Sequence, residues 1–530
     1  MMRVPRFLSP PRLFPALLLS LVVCLWQLTF FLEAPELSTR LREAPELSTH
    51  HLSEWDLVWD ESSMIRSAMG SAQWEYREGT ALGLCADVRI FFPYFYYFDQ
   101  LPVGAIGVGR QPEPFTQEAA RALIQRSGSL FRNDFSNPCN TARYGDLAKV
   151  FLFWPAALLR GHPMPPSVLP ATALLFVAGL SAVLIGFWRA GYATLGLLIV
   201  LFVGSNPFQV FEVYSRENIF SLPISTALLV LGAHVRLMTD GGKIDRWAWL
   251  TAALTGVFLA SVREVRTDSA LLALSVPGIY LTVRGSPWHR KLALVAVFAV
   301  SALLTAQTWK GYFERKYSEA QEFVRSAGGQ PYTGPRDQHH AVWHNVFLGL
   351  GDFDTEKGYR WDDRLAYDYA IPMLRSRYQV NYTYSGGFYF EDSYDQTREN
   401  LISPQDLPEY AEIIREKVVG DVVADPGWYL GILGQRLLAI MSRTTPVGVG
   451  FGSWWMGTPF TGWLLVPTLI AVVVLRKEFL AKLLLFSFPL SLSPLLVYCG
   501  PGSTYYAIFH ILTLCVWFQL LIDALSRSDP

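Results

Sequence analysis

Long apolar runs that are almost free of charge alternate in this chain with two polar stretches of more than a hundred residues each. The hydrocarbon core of a bilayer is about 30 Å thick and takes roughly 20 helical residues, and shorter runs can cross it when flanking side chains reach the head-group layer. Ten runs meet this condition, at residues 13–32, 167–188, 191–204, 220–235, 247–262, 269–283, 292–309, 460–475, 483–498 and 505–522. The pattern predicts a mainly α fold, a polytopic bundle of about ten transmembrane helices.

The charges of the short loops between these runs orient the bundle. Cytoplasmic loops collect Lys and Arg. Three loops are basic here, and they hold Arg236, Lys243 and Arg246, then Arg284, Arg290 and Lys291, then Arg476, Lys477 and Lys482. Ten crossings place all three loops on the side of the basic N-terminus. A crossing at 427–440, a run interrupted by Arg436, would break this agreement, so we interpret that run as an interfacial helix on the outer face.

This topology predicts five regions, with both polar stretches on one extracytoplasmic side. They are an N-terminal anchor helix (1–32), a long first extracytoplasmic loop with interfacial helices (33–166), a transmembrane core (167–309), a second, mixed α/β extracytoplasmic region ending in the interfacial helix (310–458), and C-terminal transmembrane helices (459–530). Cys85 and Cys139 both lie in the first loop, where an oxidising compartment would allow them to form a disulfide.

The composition narrows the class of partners. The 530 residues are 51% hydrophobic and 17% charged, with 44 basic and 45 acidic side chains and a net charge of -1. No global field would recruit a polyanion, so nucleic acid is excluded as a partner, whereas membrane lipid is expected. We expect an integral multi-pass protein of the bacterial inner membrane, or of the ER membrane if the chain is eukaryotic. Phosphate-binding glycine loops, dinucleotide fingerprints and nucleophile elbows are all absent from the sequence.

An acidic pair follows the first apolar run. Asp60 and Glu61 lie among apolar residues, where partial burial would raise the pKa of a carboxylate and suit it to general-base catalysis. The alternative is a solvated helix N-terminus, because acidic residues favour the first turn of a helix.

Two charged clusters flank apolar runs at the outer face. One contains Glu212, Arg216 and Glu217, and the other is the segment 263–268, in which Arg263 and Arg266 alternate with acids. Ionisable groups at this depth usually pair or face a polar cavity. They could hold an anionic lipid head group, since guanidinium binds phosphate in a bidentate manner. An internal salt bridge between loops is the alternative.

The second polar stretch carries histidines, acids and aromatic rings. His340 and His344 are four residues apart, and Trp361, Asp362 and Asp363 follow. A metal site would need these imidazoles together with a carboxylate. A sugar- or acceptor-binding surface fits better, because the indole offers a stacking face beside hydroxyl acceptors. An ordinary folded region is the third interpretation.

Taken in order, these features resemble the GT-C class of polytopic membrane glycosyltransferases. The resemblance consists of the acidic pair Asp60–Glu61 after the first span, a second outer loop ending in acid-Asn-x-Phe-x-Leu-Pro at 217–223, and the Arg- and acid-rich turn at 263–268. The segment from Asp425 to Arg436 is similar to a Pro-x-x-Tyr…Arg segment of that class. The similarity covers roughly residues 13–310 well and the rest loosely.

The resemblance implies transfer of a sugar from a polyprenyl-phosphate donor to an extracytoplasmic glycan, lipid or protein acceptor. Asp60, or else Glu61, would be the catalytic base. Arg263 and Arg266, with Arg216 or Arg436, would neutralise the departing phosphate. Glu212 and Glu217 would orient the acceptor or hold a divalent cation, Mg²⁺ or Mn²⁺, which only some members of the class need.

Two other functions stay open at this point. A transporter or flippase would show inverted repeats, or broken helices with ionisable groups near the middle of the membrane. A non-catalytic assembly protein would tolerate the loss of Asp60 and Glu61.

Overall fold

A computed structural model of the chain describes residues 10–33, 95–97, 113–115, 169–214, 221–239, 241–328, 342–354, 356–385, 388–391, 407–452, 454–497 and 504–525, together with the single positions 121, 125, 148, 152 and 404. These residues are mainly helical, and each of the ten apolar runs falls largely on helix.

Within these ranges, four helices are long and apolar enough to cross a membrane, namely Ala171–Arg189, Trp288–Tyr312, Glu478–Leu496 and Ala507–Leu525. Five apolar helices are shorter: Leu18–Thr29, Ala193–Gly204, Leu222–Met238, Thr267–Leu281 and Gly462–Val474. The helices are thus compatible with a membrane protein, and the count of about ten crossings stays a prediction.

The first part of the bundle contains eight helices among the described residues. They are α1 (Pro10–Glu33), α2 (Leu169–Arg189), α3 (Ala193–Gly204), α4 (Pro207–Tyr214), α5 (Ser221–Met238), α6 (Arg246–Arg263), α7 (Ser275–Leu281) and α8 (Trp288–Ser326). A 3-10 segment, Thr267–Leu274, leads into α7. Two short strands that precede α2, β1 (Phe95–Tyr97) and β2 (Glu113–Phe115), pair antiparallel.

Glycines allow α2 and α5 to cross with their backbones in contact. A Cβ atom on Gly186 would overlap the carbonyl oxygen of Gly232, and one on Gly232 would overlap the carbonyl of Ala182. Helices in a bilayer gain no hydrophobic free energy from meeting one another, so close van der Waals packing at small residues holds them together.

Helices α6 and α8 also pack closely at small residues. Ala252, Gly256 and Ala260 recur every fourth residue on the buried face of α6. A Cβ atom on Gly256 would lie 2.5 Å from the carbonyl oxygen of Phe298 on α8. The Nε1 of Trp309 donates to the hydroxyl of Ser261 at 3.1 Å, so the C-terminal end of α6 lies beside Trp309.

Beyond the bundle, the described residues between 342 and 424 form a second packed region that we call the polar unit. Its elements are α9 (Val342–Leu350), α10 (Asp363–Met373), a π-helical turn (Leu374–Tyr378), β3 (Tyr382–Ser385), β4 (Phe388–Glu391) and α11 (Pro408–Ala424). The strands β3 and β4 pair antiparallel. The core includes Phe347, Leu350, Ala370, Tyr410 and Ile414. The unit contains both helix and strand, as the sequence predicts.

A long helix and a β-hairpin connect the polar unit to the bundle. They are α12 (Pro426–Ser442) and the antiparallel strands β5 (Thr444–Phe451) and β6 (Trp454–Thr461). The hairpin docks on α1, because Gly452 N–H donates to Gln27 Oε1 at 2.7 Å. It also docks beside α3, where Asn206 Nδ2 donates to the carbonyl of Pro446 at 2.8 Å.

This hairpin changes the start of an expected crossing. The apolar run predicted from residue 460 begins inside β6, and helix follows only from the 3-10 turn Gly462–Leu464 into α13 (Leu465–Val474). Apolarity continues from the strand into the helix, so the apolar run alone does not mark the boundary between them.

The remaining helices close the bundle. They are α14 (Glu478–Phe486), a 3-10 segment (Phe488–Ser491), α15 (Leu492–Leu496) and α16 (Thr504–Leu525).

Two of the basic loops meet at one end of the bundle, which we call the basic end. Arg284 forms an ion pair with Glu478. Lys482 donates to the carbonyl of Thr282 at 3.0 Å. The other end, where the hairpin and the polar unit lie, is called the polar-unit end. This separation agrees with the loop charges, while the side of the membrane that each end faces stays a prediction.

Candidate functional site

Several predicted site residues lie outside the described part of the chain. They are Asp60, Glu61, Arg216, Glu217, His340, Cys85 and Cys139. Glu212 lies on α4, but its side chain also falls outside the description. The predicted base, the disulfide and the i,i+4 histidine pair therefore stay predictions.

The Arg- and acid-rich turn at 263–268 lies at the polar-unit end. Helix α6 ends at Arg263, whose side chain is exposed. Arg266 takes an extended conformation at the start of the 3-10 segment, and its Nε lies 2.9 Å from Asp268 Oδ1. Both of these side chains are mostly covered, with 15% and 18% exposed. The turn thus holds an ion pair within itself and presents Arg263 outside that pair, while a salt bridge between the two loops stays a prediction.

The first polar stretch reaches this turn. The backbone N–H of Ala148 donates to the carbonyl of Glu264 at 2.9 Å, and Ala148 is buried. One residue of the stretch that carries Asp60 and Glu61 therefore contacts the turn that carries Arg263 and Arg266.

Arg436 is fully enclosed. Its Nη1 donates to the carbonyl of Leu495 at 3.1 Å, and its Nε lies 3.8 Å from Asp352 Oδ2. The guanidinium thus connects α12 to α15 of the bundle and to the loop after α9. An uncompensated buried charge is costly, so these oxygens stabilise it where it lies. In this arrangement the guanidinium of Arg436 is enclosed by protein and is not exposed at the surface.

His344 lies at the junction of three helices of the polar unit. Its Nε2 lies 3.0 Å from Asp363 Oδ1, and its Nδ1 lies 2.6 Å from the hydroxyl of Tyr410. The ring of Tyr367 stacks on the imidazole with 5.4 Å between centroids. A neutral imidazole satisfies both contacts, because Nε2–H donates to the carboxylate and Nδ1 accepts from the hydroxyl. Burial raises the pKa of Tyr410 well above its ordinary value, which keeps that hydroxyl a donor.

Two predicted residues of the polar unit are thereby brought into contact, His344 on α9 and Asp363 at the start of α10. His344 is buried, while Asp363 has 65% of its side chain exposed. Trp361 precedes Asp363 by two residues, and 41% of its surface is exposed. Asp362 caps α10 by accepting from Arg364 N–H at 2.9 Å. The sequence pattern did not indicate Tyr410, which comes from a helix 66 residues away.

A second network in the polar unit was missed by sequence reasoning. The carboxylate of Asp354 accepts from the backbone N–H groups of Lys357 at 3.0 Å and Tyr359 at 2.6 Å, and from Trp428 Nε1 at 2.9 Å. Burial alone would raise the pKa of Asp354, but these hydrogen bonds and one from Glu356 N–H lower it overall. An Asp followed by a turn is the available signal, since Asp side chains accept from the backbone a few residues on.

The same network continues on α11. The hydroxyl of Tyr359 donates to Asp421 Oδ2 at 2.6 Å, and Lys417 Nζ lies 2.5 Å from the same oxygen. Burial is the largest cause of the raised pKa of Tyr359, followed by its hydrogen bond to Asp421. Lys357 Nζ lies 5.0 Å from the centre of the Trp428 ring, a cation–π contact. Because its members satisfy one another, this network braces the loop 352–361 rather than offering an open site.

The described part of the chain contains no set of side chains arranged to bind a metal ion. No group of three or more His, Cys, Asp or Glu side chains there is placed to hold an ion. A Mg²⁺ or Mn²⁺ site at Glu212 and Glu217 stays a prediction, because those side chains are not described.

Comparison with known proteins gave no relative: no family model, no curated protein and no solved structure matches this chain.

Proposed function

We propose that the chain is a membrane glycosyltransferase of GT-C type that moves a sugar from a polyprenyl-phosphate donor to an extracytoplasmic glycan, lipid or protein. The observation that carries the proposal is the hydrogen bond between Ala148 and Glu264, which joins the first polar stretch to the Arg-rich turn. The proposal requires that Asp60 or Glu61, elsewhere in the same polar stretch, reach the turn that Ala148 contacts.

The chemistry that this proposal requires is simple. Asp60 or Glu61 takes the proton of the acceptor hydroxyl, the acceptor oxygen attacks the anomeric carbon, and the bond to the lipid phosphate breaks. Arg263, exposed at the end of α6, and Arg266, oriented by Asp268, stabilise the negative charge that develops on the phosphate. Guanidinium groups that are already held in position before the reaction stabilise this charge best, because they need not reorganise as it appears.

A lipid-binding experiment tests the phosphate site. Lipids that co-purify with the wild-type protein are identified by mass spectrometry and compared with those of the Arg263→Ala/Arg266→Ala variant. Arg189→Ala is the matched control, since Arg189 is an exposed cation at the end of α2 that leads into α3, away from the turn. We expect a polyprenyl phosphate, with or without sugar, in the wild type and the control and a several-fold loss in the double variant. Ordinary phospholipids alone in all three samples would contradict the proposal.

Variants that lack the predicted base distinguish the enzyme hypothesis from the assembly-protein hypothesis. We expect Asp60→Asn or Glu61→Gln to abolish sugar transfer with unchanged yield and thermal unfolding. Full transfer by both variants would remove the first polar stretch from the chemistry.

A transporter is the second candidate, and one observation favours it. One helix is interrupted by a 3-10 segment, Phe488–Ser491, and this segment packs against a second one, Thr267–Leu274, which opens α7. Ser275, at the end of one segment, donates to the carbonyl of Phe486, just before the other, at 2.6 Å. Interrupted helices form substrate sites in many transporters. Translocation of a fluorescent lipid-linked sugar in proteoliposomes, without transfer to any acceptor, would favour this candidate over the enzyme.

A further inference from the structure

The exposed surface of α11 changes character along the helix. In its first half the exposed side chains are charged, as at Glu412 (49% exposed) and Arg415 (54%). In its last two turns they are apolar: Val419 is 44% exposed and Val423 is 72% exposed. Gly420 and Ala424 are the exposed residues beside them. The last exposed charged residue within this helix is Glu416. Beyond it Asp421 is 24% exposed and paired with Lys417, and Asp425, which caps α12, is 43% exposed. The exposed surface of α11 thus becomes mainly apolar between Glu416 and Val419, with the Asp425 carboxylate at its edge.

Helix α12 continues the apolar part of this surface. Leu430, Leu437 and Leu438 are 66%, 48% and 54% exposed, and their spacing of seven and eight residues places them on one face. Residues four apart on the other face, Ile432, Arg436 and Ile440, are buried. The one charged side chain in the interior of α12 therefore turns away from the exposed leucines.

We define the α11–α12 apolar surface as Val419, Val423, Leu430, Leu437 and Leu438. Water-exposed apolar side chains that recur along two consecutive helices are unusual for a surface that stays in water. Helix α12 is not among the apolar helices of the described chain that are suited to cross a membrane. One face of α12 exposes leucines and the opposite face packs on the protein, an arrangement that suits a helix lying along the interface with only its apolar face in the lipid.

The α11–α12 apolar surface connects with the apolar outer surface of the bundle. Trp463 Nε1 donates to the hydroxyl of Ser442, the last residue of α12, at 3.1 Å, and Trp463 is 46% exposed. Helix α13 begins two residues after Trp463 and has one exposed apolar stripe, formed by Val466, Ile470, Val473 and Val474. Tryptophan is the residue that concentrates at the head-group level of a bilayer. The C-terminal end of α12 is thus tied to the level at which the bundle would leave the hydrocarbon.

We infer that the α11–α12 apolar surface lies in the interfacial layer of the bilayer that holds the bundle, so that the polar unit rests on the lipid instead of standing clear of it. The occupant of this surface is phospholipid: the head-group layer and the first methylenes of the acyl chains. The inference rests on the membrane location contained in the proposed function, and it is independent of sugar transfer.

Site-directed spin labelling in mixed phosphatidylethanolamine–phosphatidylglycerol vesicles tests the inference. Labels are attached to Leu430→Cys and Leu438→Cys in the full chain, and their collision rates with oxygen, which enters lipid, and with a water-soluble nickel chelate are compared. Cys24 and Cys515 are buried, and the unsubstituted chain, labelled in parallel, supplies the background. We expect both labels to collide more with oxygen than with the chelate.

Two matched positions make every outcome decisive. Leu304→Cys, at a position 64% exposed on α8, reports the bilayer, and Glu412→Cys, on the charged half of α11, reports water. Labels at Leu430 and Leu438 that behave like the one at Glu412 would overturn the inference while leaving the membrane location intact. A label at Leu304 that behaves like the one at Glu412 would overturn the membrane location itself. Low collision rates with both reagents at Leu430 and Leu438 would mean a protein partner and would also overturn the inference.

A charge-insertion variant gives a second readout. With a label at Val423→Cys, we expect Leu430→Glu/Leu438→Glu to raise the chelate collision rate several-fold, because carboxylates draw this surface out of the lipid. Gln435→Glu is the control, since Gln435 is exposed near the edge of the leucine stripe. An equal response to both changes, or no response to either with the fold intact by thermal unfolding, would contradict the inference.

Discussion

At the scale of single residues, the polar unit depends on buried polar groups whose partners come from distant parts of the chain. His344 is 4% exposed and joins α9, α10 and α11 through Asp363 and Tyr410. Arg436 joins α12 to the bundle in the same way. Such groups stabilise one arrangement only while every partner is present, because a buried donor or acceptor left without a partner costs roughly 1–3 kcal/mol.

We expect His344→Ala to lower the free energy of unfolding of the polar unit by roughly 2–4 kcal/mol, because it leaves the Tyr410 hydroxyl without its acceptor and opens a cavity. The measurement is thermal unfolding of the purified protein. His289→Ala, which changes an exposed histidine at the start of α8, should leave the transition unchanged. Equal unfolding temperatures for the two variants would mean that the His344 network is not stabilising.

The pKa of Asp354 predicts a pH dependence. Its pKa is lowered in the folded state, so its contribution to stability is present above the unfolded value of about 3.9 and is lost as the pH falls through the lower folded value. We expect the wild type to lose unfolding temperature on acidification below about pH 4 more steeply than Asp354→Asn. Glu356→Gln, an exposed carboxylate of the same loop, should keep the wild-type slope. Parallel slopes for Asp354→Asn and the wild type would contradict this assignment.

At the scale of elements, close helix crossings and interrupted helices shape the bundle. The crossing of α2 and α5 depends on the absence of side chains at Gly186 and Gly232. The interruption of the helix at Phe488–Ser491 coincides with Pro489, which lacks the N–H that would continue the helical hydrogen bonds.

We expect Gly232→Ala to lower the yield of folded protein and its unfolding temperature, because the added Cβ would overlap the backbone of Ala182 and force α2 and α5 apart. Gly278→Ala is the control: nothing lies within 4 Å of a Cβ added there, and alanine favours helix by about 1 kcal/mol over glycine. Gly278→Ala should therefore unfold at the wild-type temperature or above it. A Gly232→Ala protein as stable as Gly278→Ala would refute the tight crossing.

The sequence predicted most helices of the bundle and missed the hairpin that docks on it. Apolar helices reveal themselves by length and by the lack of charge, which are local properties. The strand β5 alternates valine and glycine at Val447–Gly450. The hairpin is held by Asn206, which bonds to β5, and by Gln27, which bonds to Gly452 in the turn, and both partners are hundreds of residues away. The ion pair of Arg266 with Asp268 lies within one turn, whereas the burial of Arg436 depends on packing that no local pattern contains.

At the scale of the whole molecule, the distance between two tryptophans on one helix matches the thickness of a bilayer's hydrocarbon core. Trp288 and Trp309 lie on one continuous helix, α8, and at 1.5 Å per residue they are about 32 Å apart. The hydrocarbon core is about 30 Å thick, and tryptophan favours its two edges. Beyond Trp309 the helix continues to Ser326 with exposed charges at Glu314, Arg315 and Glu322, as expected for a segment in water.

Cysteine labelling in intact cells tests the orientation of the molecule. We expect an impermeant maleimide added from outside to label Glu412→Cys on the polar unit and to leave Lys243→Cys at the predicted cytoplasmic loop unlabelled. Permeabilised cells should label both, which shows that Lys243→Cys is reactive. External labelling of Lys243→Cys, or of both positions, would reverse or exclude the predicted orientation.

The sequence by itself determined that this protein is mainly helical, that its apolar runs fall largely on helices, and that its polar residues are concentrated in two long stretches, because hydrophobicity is a property of consecutive residues. Four helices of the described chain are long and apolar enough to cross a membrane. Only the tertiary structure decided which polar groups meet. It paired His344 with Tyr410, enclosed Arg436 between Leu495 and Asp352, and joined Ala148 to the turn at Glu264. Those contacts depend on how helices distant in sequence cross and pack, and the free energy that selects them belongs to the assembled fold.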